Sequence, residues 1–93
     1  MKFVWDPKKA NINKRKHGIS FEEAQTVFAD YDALRIFAPD HSQQEDRFLI
    51  LGMSSMLRLL VVCHCYREGD EQIRLISARK ASKNEVFTYI RRK

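Results

Sequence analysis

Long apolar runs are missing from this 93-residue chain. No stretch approaches the roughly 18 residues needed to span a bilayer, and "MKFVWDPKK" has no apolar core of the kind a secretory signal carries. A cytoplasmic protein is therefore expected. Cysteine is scarce as well: Cys63 and Cys65 are too few for a disulfide scaffold. The three glycines, Gly18, Gly52 and Gly69, form neither a G-x-G-x-x-G nor a P-loop, and each reads as punctuation between elements. Clustered carboxylates, which two-metal nuclease chemistry requires, are also wanting. Asp40, Glu45, Asp46, Glu68, Asp70 and Glu71 fall in loops and turns. "CHC" suggests a metal site, but strand alternation sends Cys63 and Cys65 to one face and His64 to the other. No second Cys/His cluster completes a tetrahedron. Neither metal nor cofactor is expected, and the thiols read as small apolar residues.

Positive charge is abundant. The net charge is +5, with an isoelectric point near 9.5, and the excess lies at the two ends. Lys2, Lys8, Lys9, Lys14, Arg15 and Lys16 stand against Asp6 alone, and Arg79, Lys80, Lys83, Arg91, Arg92 and Lys93 against Glu85 alone. Brought together by folding, the two ends make a cationic surface for a polyanion or an acidic partner. Left apart, they are solvated helix faces. The 44% apolar share suits an ordinary globular protein, and a chain of this length makes a single domain, residues 1–93.

The order of elements follows from local signals. "KFVW" is a short strand. Asp6-Pro7 opens a helix near Lys8–His17, with Asp6 as N-cap and Gly18 as its C′ residue. Ser20 and Glu23 have capping-box spacing before an amphipathic helix over Phe21–Ala29. "ALRIFA", "RFLILG", "LRLLVVCHCY" and "QIRLISA" read as strands separated by turns. "LLVVC" is apolar on both parities, which marks a central strand covered on both faces. Ser82 and Glu85 repeat the capping-box spacing ahead of a last helix. The fold class is α+β in the order β-α-α-β-β-β-β-α, with an antiparallel meander.

Hairpin arithmetic then asks which side chains meet. With Gly69-Asp70 as a two-residue turn, Arg79 falls opposite Leu60. With Ser54-Ser55 as the earlier turn, Arg47 falls opposite Val62. Opposed residues share a face, so Arg47, Arg79 and His64 would converge on one side of the sheet, provided no bulge intervenes. Two guanidiniums and an imidazole could grip a phosphodiester, stabilise its developing charge and move a proton. The pattern equally allows Arg47 and Arg79 in salt bridges with Glu45, Asp46 or Glu85, and His64 hydrogen-bonded in the core. If the substrate is a nucleic acid cut without metal, RNA is favoured, because its 2′-hydroxyl is a built-in nucleophile.

The stretches "FVWDPKKANINKRKHGISFEEAQTVFAD", "EDRFLILG", "LLVVCHCYRE" and "IRLISARKASKNEVFTY" resemble the BrnT family of type II toxins, relatives of the RelE-like ribonucleases. They cover most of the chain, and "KHGISFEEA" together with "ISARKAS" is the specific combination. The resemblance implies a RelE-like toxin that cleaves RNA without metal and so inhibits translation. It implies a BrnA-type ribbon-helix-helix antitoxin in a 2:2 complex, which meets operator DNA only through the antitoxin. The family's basic and polar candidates match Lys9, Arg47, His64, Tyr66, Arg67 and Arg79. Arg79, His64, Arg47 and Arg67 are accordingly the catalytic candidates, and Lys9, Lys16 and Tyr66 the RNA contacts. The predicted register leaves Arg67 about 24 Å from Arg79 at strand rise, which makes Arg67 a separate contact on a long RNA. A second reading is a non-catalytic nucleic-acid-binding or co-repressor module.

Overall fold

Five strands and three helices make up the computed structural model, which describes residues 1–37, 47–69 and 71–91. β1 (Lys2–Val4) leads into α1 (Pro7–His17) and α2 (Phe21–Gln25), and a 3₁₀ turn covers Thr26–Ala29. β2 (Leu34–Phe37), β3 (Phe48–Met53), β4 (Leu59–Arg67) and β5 (Gln72–Lys80) follow as an antiparallel meander, and α3 (Lys83–Ile90) closes the chain. β1 adds to the outer side of β5 in parallel, which gives the order β1-β5-β4-β3-β2. The α+β class, the element order and the central position of β4 are those expected from the pattern.

The caps explain the helix boundaries. The Asp6 carboxylate accepts from the Lys8 N–H at 2.9 Å, Pro7 occupies the first helical position, and Gly18 takes the left-handed conformation that ends α1. Ser82 and Glu85 form a reciprocal capping box. Ser20 and Glu23 form only half of one. Ser20 Oγ accepts from the Glu23 N–H at 3.0 Å, but the Glu23 carboxylate turns inward instead. It accepts from Ser54 Oγ at 2.7 Å and Arg58 Nε at 3.0 Å, and pairs with the second Arg58 nitrogen. The expected helix over Phe21–Ala29 tightens to 3₁₀ geometry at Thr26.

α1, α2 and the 3₁₀ turn cover one face of the sheet. Ile19, Phe21, Ala24 and Val27 are buried there against Ile50, Leu60, Val62, Ile73, Leu75 and Ala78. α3 covers part of the other face, where Tyr89 packs on Leu51 and Val61. Gly52 is no punctuation mark. It lies inside β3, and a Cβ there would stand 2.9 Å from Val27 Cγ1, so its missing side chain is what lets the 3₁₀ turn approach the sheet.

Two departures from the expected register decide which face the later residues occupy. Near the β4–β5 turn the arithmetic holds, with Arg67 opposite Gln72 and Cys65 opposite Arg74. Between the pairs His64–Leu75 and Cys63–Ser77, however, β5 carries one extra residue, Ile76. Beyond this bulge Arg79 faces Val61 rather than Leu60. The β3–β4 connection is also longer than two residues. Ser54 N–H donates to Arg58 O at 2.8 Å, and Leu57 sits at a positive φ of 62°. Phe48 therefore pairs with His64, and Arg47 falls one step further along, not opposite Val62.

One buried side chain ties α1 to the sheet. Asn13 Nδ2 donates to Ile19 O at 3.0 Å and to Ala78 O at 2.9 Å, while Oδ1 accepts from the Ala78 N–H at 3.0 Å. Its carboxamide thus serves β5 as a neighbouring strand would, at a point beyond the reach of β1. Asn13→Ala leaves three buried backbone groups without this partner and should cost about 3 kcal/mol in urea denaturation. Asn13→Asp retains the acceptor for Ala78 N–H and loses both donors, so it should also be markedly destabilised.

Candidate active site

The bulge and the longer turn move both Arg79 and Arg47 to the α3 side of the sheet, whereas His64 stays on the α1 and α2 side with Phe48 and Leu75. The expected convergence of all three therefore fails. The arginines still share a face, and they gain company there. Along β4, Val61, Cys63, Cys65 and Arg67 point to this side by alternation. Opposite them on β5 stand Arg79, Ser77, Arg74 and Gln72. Continuing the β3 register by one residue puts Arg47 beside Cys65, and its charge reaches Cys63. Cys63 and Ser77 are thus the middle of a cationic basin. Arg79 stands on one side and Arg74 and Arg47 on the other, each about 7 Å away at strand rise. Arg74 was not singled out from sequence, because on the pattern alone it was only a polar interruption in a strand.

Arg79 is already paired. Its Nη1 donates to Glu85 Oε1 at 2.8 Å and to Lys80 O at 3.3 Å, and Nη2 donates to Glu85 Oε2 at 3.0 Å. The salt bridge foreseen as an alternative is present. It uses the end of the guanidinium, so Glu85 does not engage the lateral edge, Nε–H with the outer Nη2–H, on a side chain that is 42% exposed. A fork of five donors serves a carboxylate at one edge and an anion at another. Arg47 carries a buried Nε with no hydrogen-bond partner, a costly state that an arriving anion would relieve. Between them, burial raises the Cys63 thiol pKa, and the Arg47 charge and a hydrogen bond with Ser77 oppose that rise.

Glu85 is the fixed point of this arrangement. Hydrogen bonding to Arg79 is the main cause that pulls its carboxyl down to about 2, helped by the Ser82 N–H, against desolvation. So acidic a group is a poor general base near neutral pH, and its chemistry is to hold Arg79.

His64 lies in a different environment. Its ring has no solvent exposure and packs edge-on against Phe28 at 4.8 Å and Tyr66 at 5.5 Å. Nδ1 is 3.2 Å from Val62 O, and Nε2 has no partner. Burial lowers its pKa, and Arg35 adds to the effect, which keeps the imidazole neutral. Tyr66 shares this cluster with its hydroxyl buried and unpartnered, and Arg35 lies over its ring at 5.5 Å. Arg67 is at the hairpin end of the arginine face, six residues beyond Val61, about 20 Å at strand rise. Lys9 and Lys16 lie elsewhere, on α1, beside a recess that also reaches Ile76 and Ser77. Ser77 is the residue common to the recess and the arginine basin. Among the described residues, no three His, Cys, Asp or Glu side chains come together as a metal site.

The sign of the Glu85 contribution to stability follows from its lowered pKa. Folding favours the carboxylate, so its stabilisation is complete above the ordinary carboxyl pKa near 4.3 and is lost as pH falls toward 2. The melting-temperature gap between wild type and Glu85→Gln should be widest above pH 5 and close progressively toward pH 2. A gap constant over that range would mean that the Arg79 pair does not hold the carboxylate.

Comparison with known proteins supplies the context for this geometry. Curated protein sequences contain no match to the chain. Among solved structures, the 1.1 Å crystal structure of the Brucella abortus ribonuclease toxin, BrnT, superposes with a TM-score of 0.66 at 28% identity. The match covers 89% of this chain and 99% of that one. The family model described as "Ribonuclease toxin, BrnT, of type II toxin-antitoxin system" matches residues 5–85. With most of the chain inside that match and the fold shared, the protein belongs to the BrnT family of ribonuclease toxins from type II toxin–antitoxin systems.

Proposed function

We propose that this chain is a metal-independent endoribonuclease that cuts RNA on its arginine face and thereby inhibits translation. The observation that carries the reading is the ring of Arg47, Arg74 and Arg79 around Cys63 and Ser77, with one edge of Arg79 open and Arg47 Nε unpartnered. Arg79, held at its end by Glu85, offers its lateral fork to the scissile phosphate. Arg47 and Arg74 oppose it across the basin, where they neutralise the charge that builds as the 2′-oxygen, giving its proton to water, bonds to phosphorus. The bond to the 5′-oxygen breaks, and that oxygen takes a proton from water. Positive charge that a divalent ion would otherwise bring is thus supplied by guanidiniums. Among the described residues, the Glu85 carboxylate beside the basin is engaged with Arg79. Arg67 extends the cationic track toward the hairpin and contacts the RNA away from the cut.

His64 was a catalytic candidate from the sequence. Zero exposure and its place on the opposite face argue for a packing role, with the neutral imidazole filling an aromatic cluster. Tyr66, with its hydroxyl buried and Arg35 over its ring, likewise fits packing better than base stacking. The partner in this reading is an antitoxin of the BrnA type, a ribbon-helix-helix protein that binds operator DNA. It would form a complex of two toxins with two antitoxins in the cytoplasm. Among the described residues, no helix is long and apolar enough to cross a membrane.

Purified protein incubated with single-stranded RNA in excess EDTA should produce internal cuts. Intact RNA at protein concentrations above substrate would favour the non-catalytic nucleic-acid-binding or co-repressor module. Arg79→Ala should lower the rate by about 100-fold or more, the scale of losing a principal charge-stabilising donor. His64→Phe should stay within a few-fold of wild type per folded molecule. A reversed ranking would move the chemistry to the other face of the sheet.

A further inference from the structure

We propose that the recess between α1 and the bulge of β5 is a subsite for one nucleotide of single-stranded RNA. The base would enter between Ile12 and Ile76, and its phosphate would rest against Lys9 and Lys16. The ligand class rests on the ribonuclease reading above; the recess and its lining are independent of it. The recess has a volume of about 180 Å³. That is below the roughly 300–1,000 Å³ of sites for drug-sized ligands, and it suits a single base better than a folded segment of a protein.

Helix α1 presents an unusual stripe to this recess. Lys9, Ile12, Asn13 and Lys16 are spaced i, i+3, i+4, i+7 and share one side of the helix. In an ordinary amphipathic helix such a stripe is apolar and buried. Here two cations bracket an isoleucine that remains 54% exposed and a buried asparagine. Lys16 and His17 at the C-terminal end favour the helix dipole, but the first turn has no acidic residue and carries Lys8 and Lys9 against it. Helix stability therefore does not account for Lys9, whereas an anion at the recess does.

The sheet side is equally specific. A bulge re-aims a side chain, and the re-aimed residue is Ile76, half-buried at the open edge of β5. It gives the recess an apolar wall facing Ile12. Asn13 is locked by its three hydrogen bonds to Ile19 and Ala78, so the floor between the walls is organised before a ligand arrives. The His17 imidazole lines the recess and can hydrogen-bond to a base edge. Ser77 also stands in the centre of the arginine basin. An RNA strand leaving the cut phosphate would pass around the open edge of β5 beside Ser77 to reach the recess, which makes this the subsite that selects the neighbouring nucleotide. An acidic peptide would use the lysines but has no use for apolar walls.

The full chain and its Arg79→Ala variant should be titrated with each nucleoside 5′-monophosphate, with inorganic phosphate and with a poly-glutamate peptide, monitored by backbone amide NMR shifts. Saturable shifts in residues 9–17 and 76–77 are expected with at least one nucleotide in both proteins, and phosphate should bind about tenfold more weakly or worse. Lys9→Ala combined with Lys16→Ala should weaken the nucleotide about tenfold, one decade in Kd, and raise KM for RNA with little change in kcat. Its melting temperature should match wild type, since both positions are exposed. Equal binding of phosphate and nucleotides, shifts only with the peptide, or no shifts in these segments would each overturn the proposal. RNA cut normally with a silent recess sinks this inference alone. Nucleotide binding in the recess without RNA cutting sinks the ribonuclease reading alone.

Discussion

Side chains along an antiparallel strand alternate between faces with a period of two, so one unpaired residue exchanges the faces of everything beyond it. Ile76 is that residue in β5. It sends Ser77 and Arg79 to the α3 side while Leu75 and Ile73 stay in the larger core with Phe21 and Val27. It also places its own side chain at the strand edge, against the cationic stripe of α1. The Arg79–Glu85 pair and the recess are therefore consequences of this register shift, and together with the longer β3–β4 turn that brings in Arg47 it makes the arginine basin. Without it, Arg79 would stand opposite Leu60 on the face covered by α1 and α2, away from Glu85.

The treatment of Arg79 shows how a structural ion pair and a ligand site coexist on one side chain. A partly exposed salt bridge contributes little stability by itself. What Glu85 provides is orientation, because its carboxylate is already held by the Ser82 N–H as part of a helix cap. The cap fixes the acid, the acid fixes the guanidinium, and one edge of the guanidinium remains available. The same economy appears at Glu23, where half of an expected capping box is given up. Its buried carboxylate instead anchors Arg58 and Ser54, and with them the β3–β4 turn. Asp30 joins the two sides of the sheet, accepting from Met53 N–H and Tyr89 O–H at 2.7 Å each.

Sharing 28% identity with the Brucella toxin at a TM-score of 0.66 is what such a design tolerates. Apolar core positions accept many substitutions that preserve volume and pattern. Asn13 and Gly52 are less forgiving. Asn13 satisfies three backbone groups at once, and Gly52 leaves space that any Cβ would fill.

Local chemistry was legible in the chain. Asp6-Pro7, Gly18 and the Ser82–Glu85 box announce helix ends because capping involves neighbours in sequence, and the doubly apolar "LLVVC" announces a central strand because burial on both faces removes alternation. Membership in the toxin family could also be read from "KHGISFEEA" with "ISARKAS". The grouping of the cations was beyond it. Whether Arg79 meets His64 or Arg47 turns on a bulge and on the length of the turn at Ser54–Arg58, and neither alters composition or periodicity enough to be seen. Likewise Asn13 reads as one more polar residue on a basic helix until Ala78, 65 positions away, arrives to be clamped. Short-range interactions are written where they act, whereas contacts between distant segments depend on a register that only the assembled sheet determines.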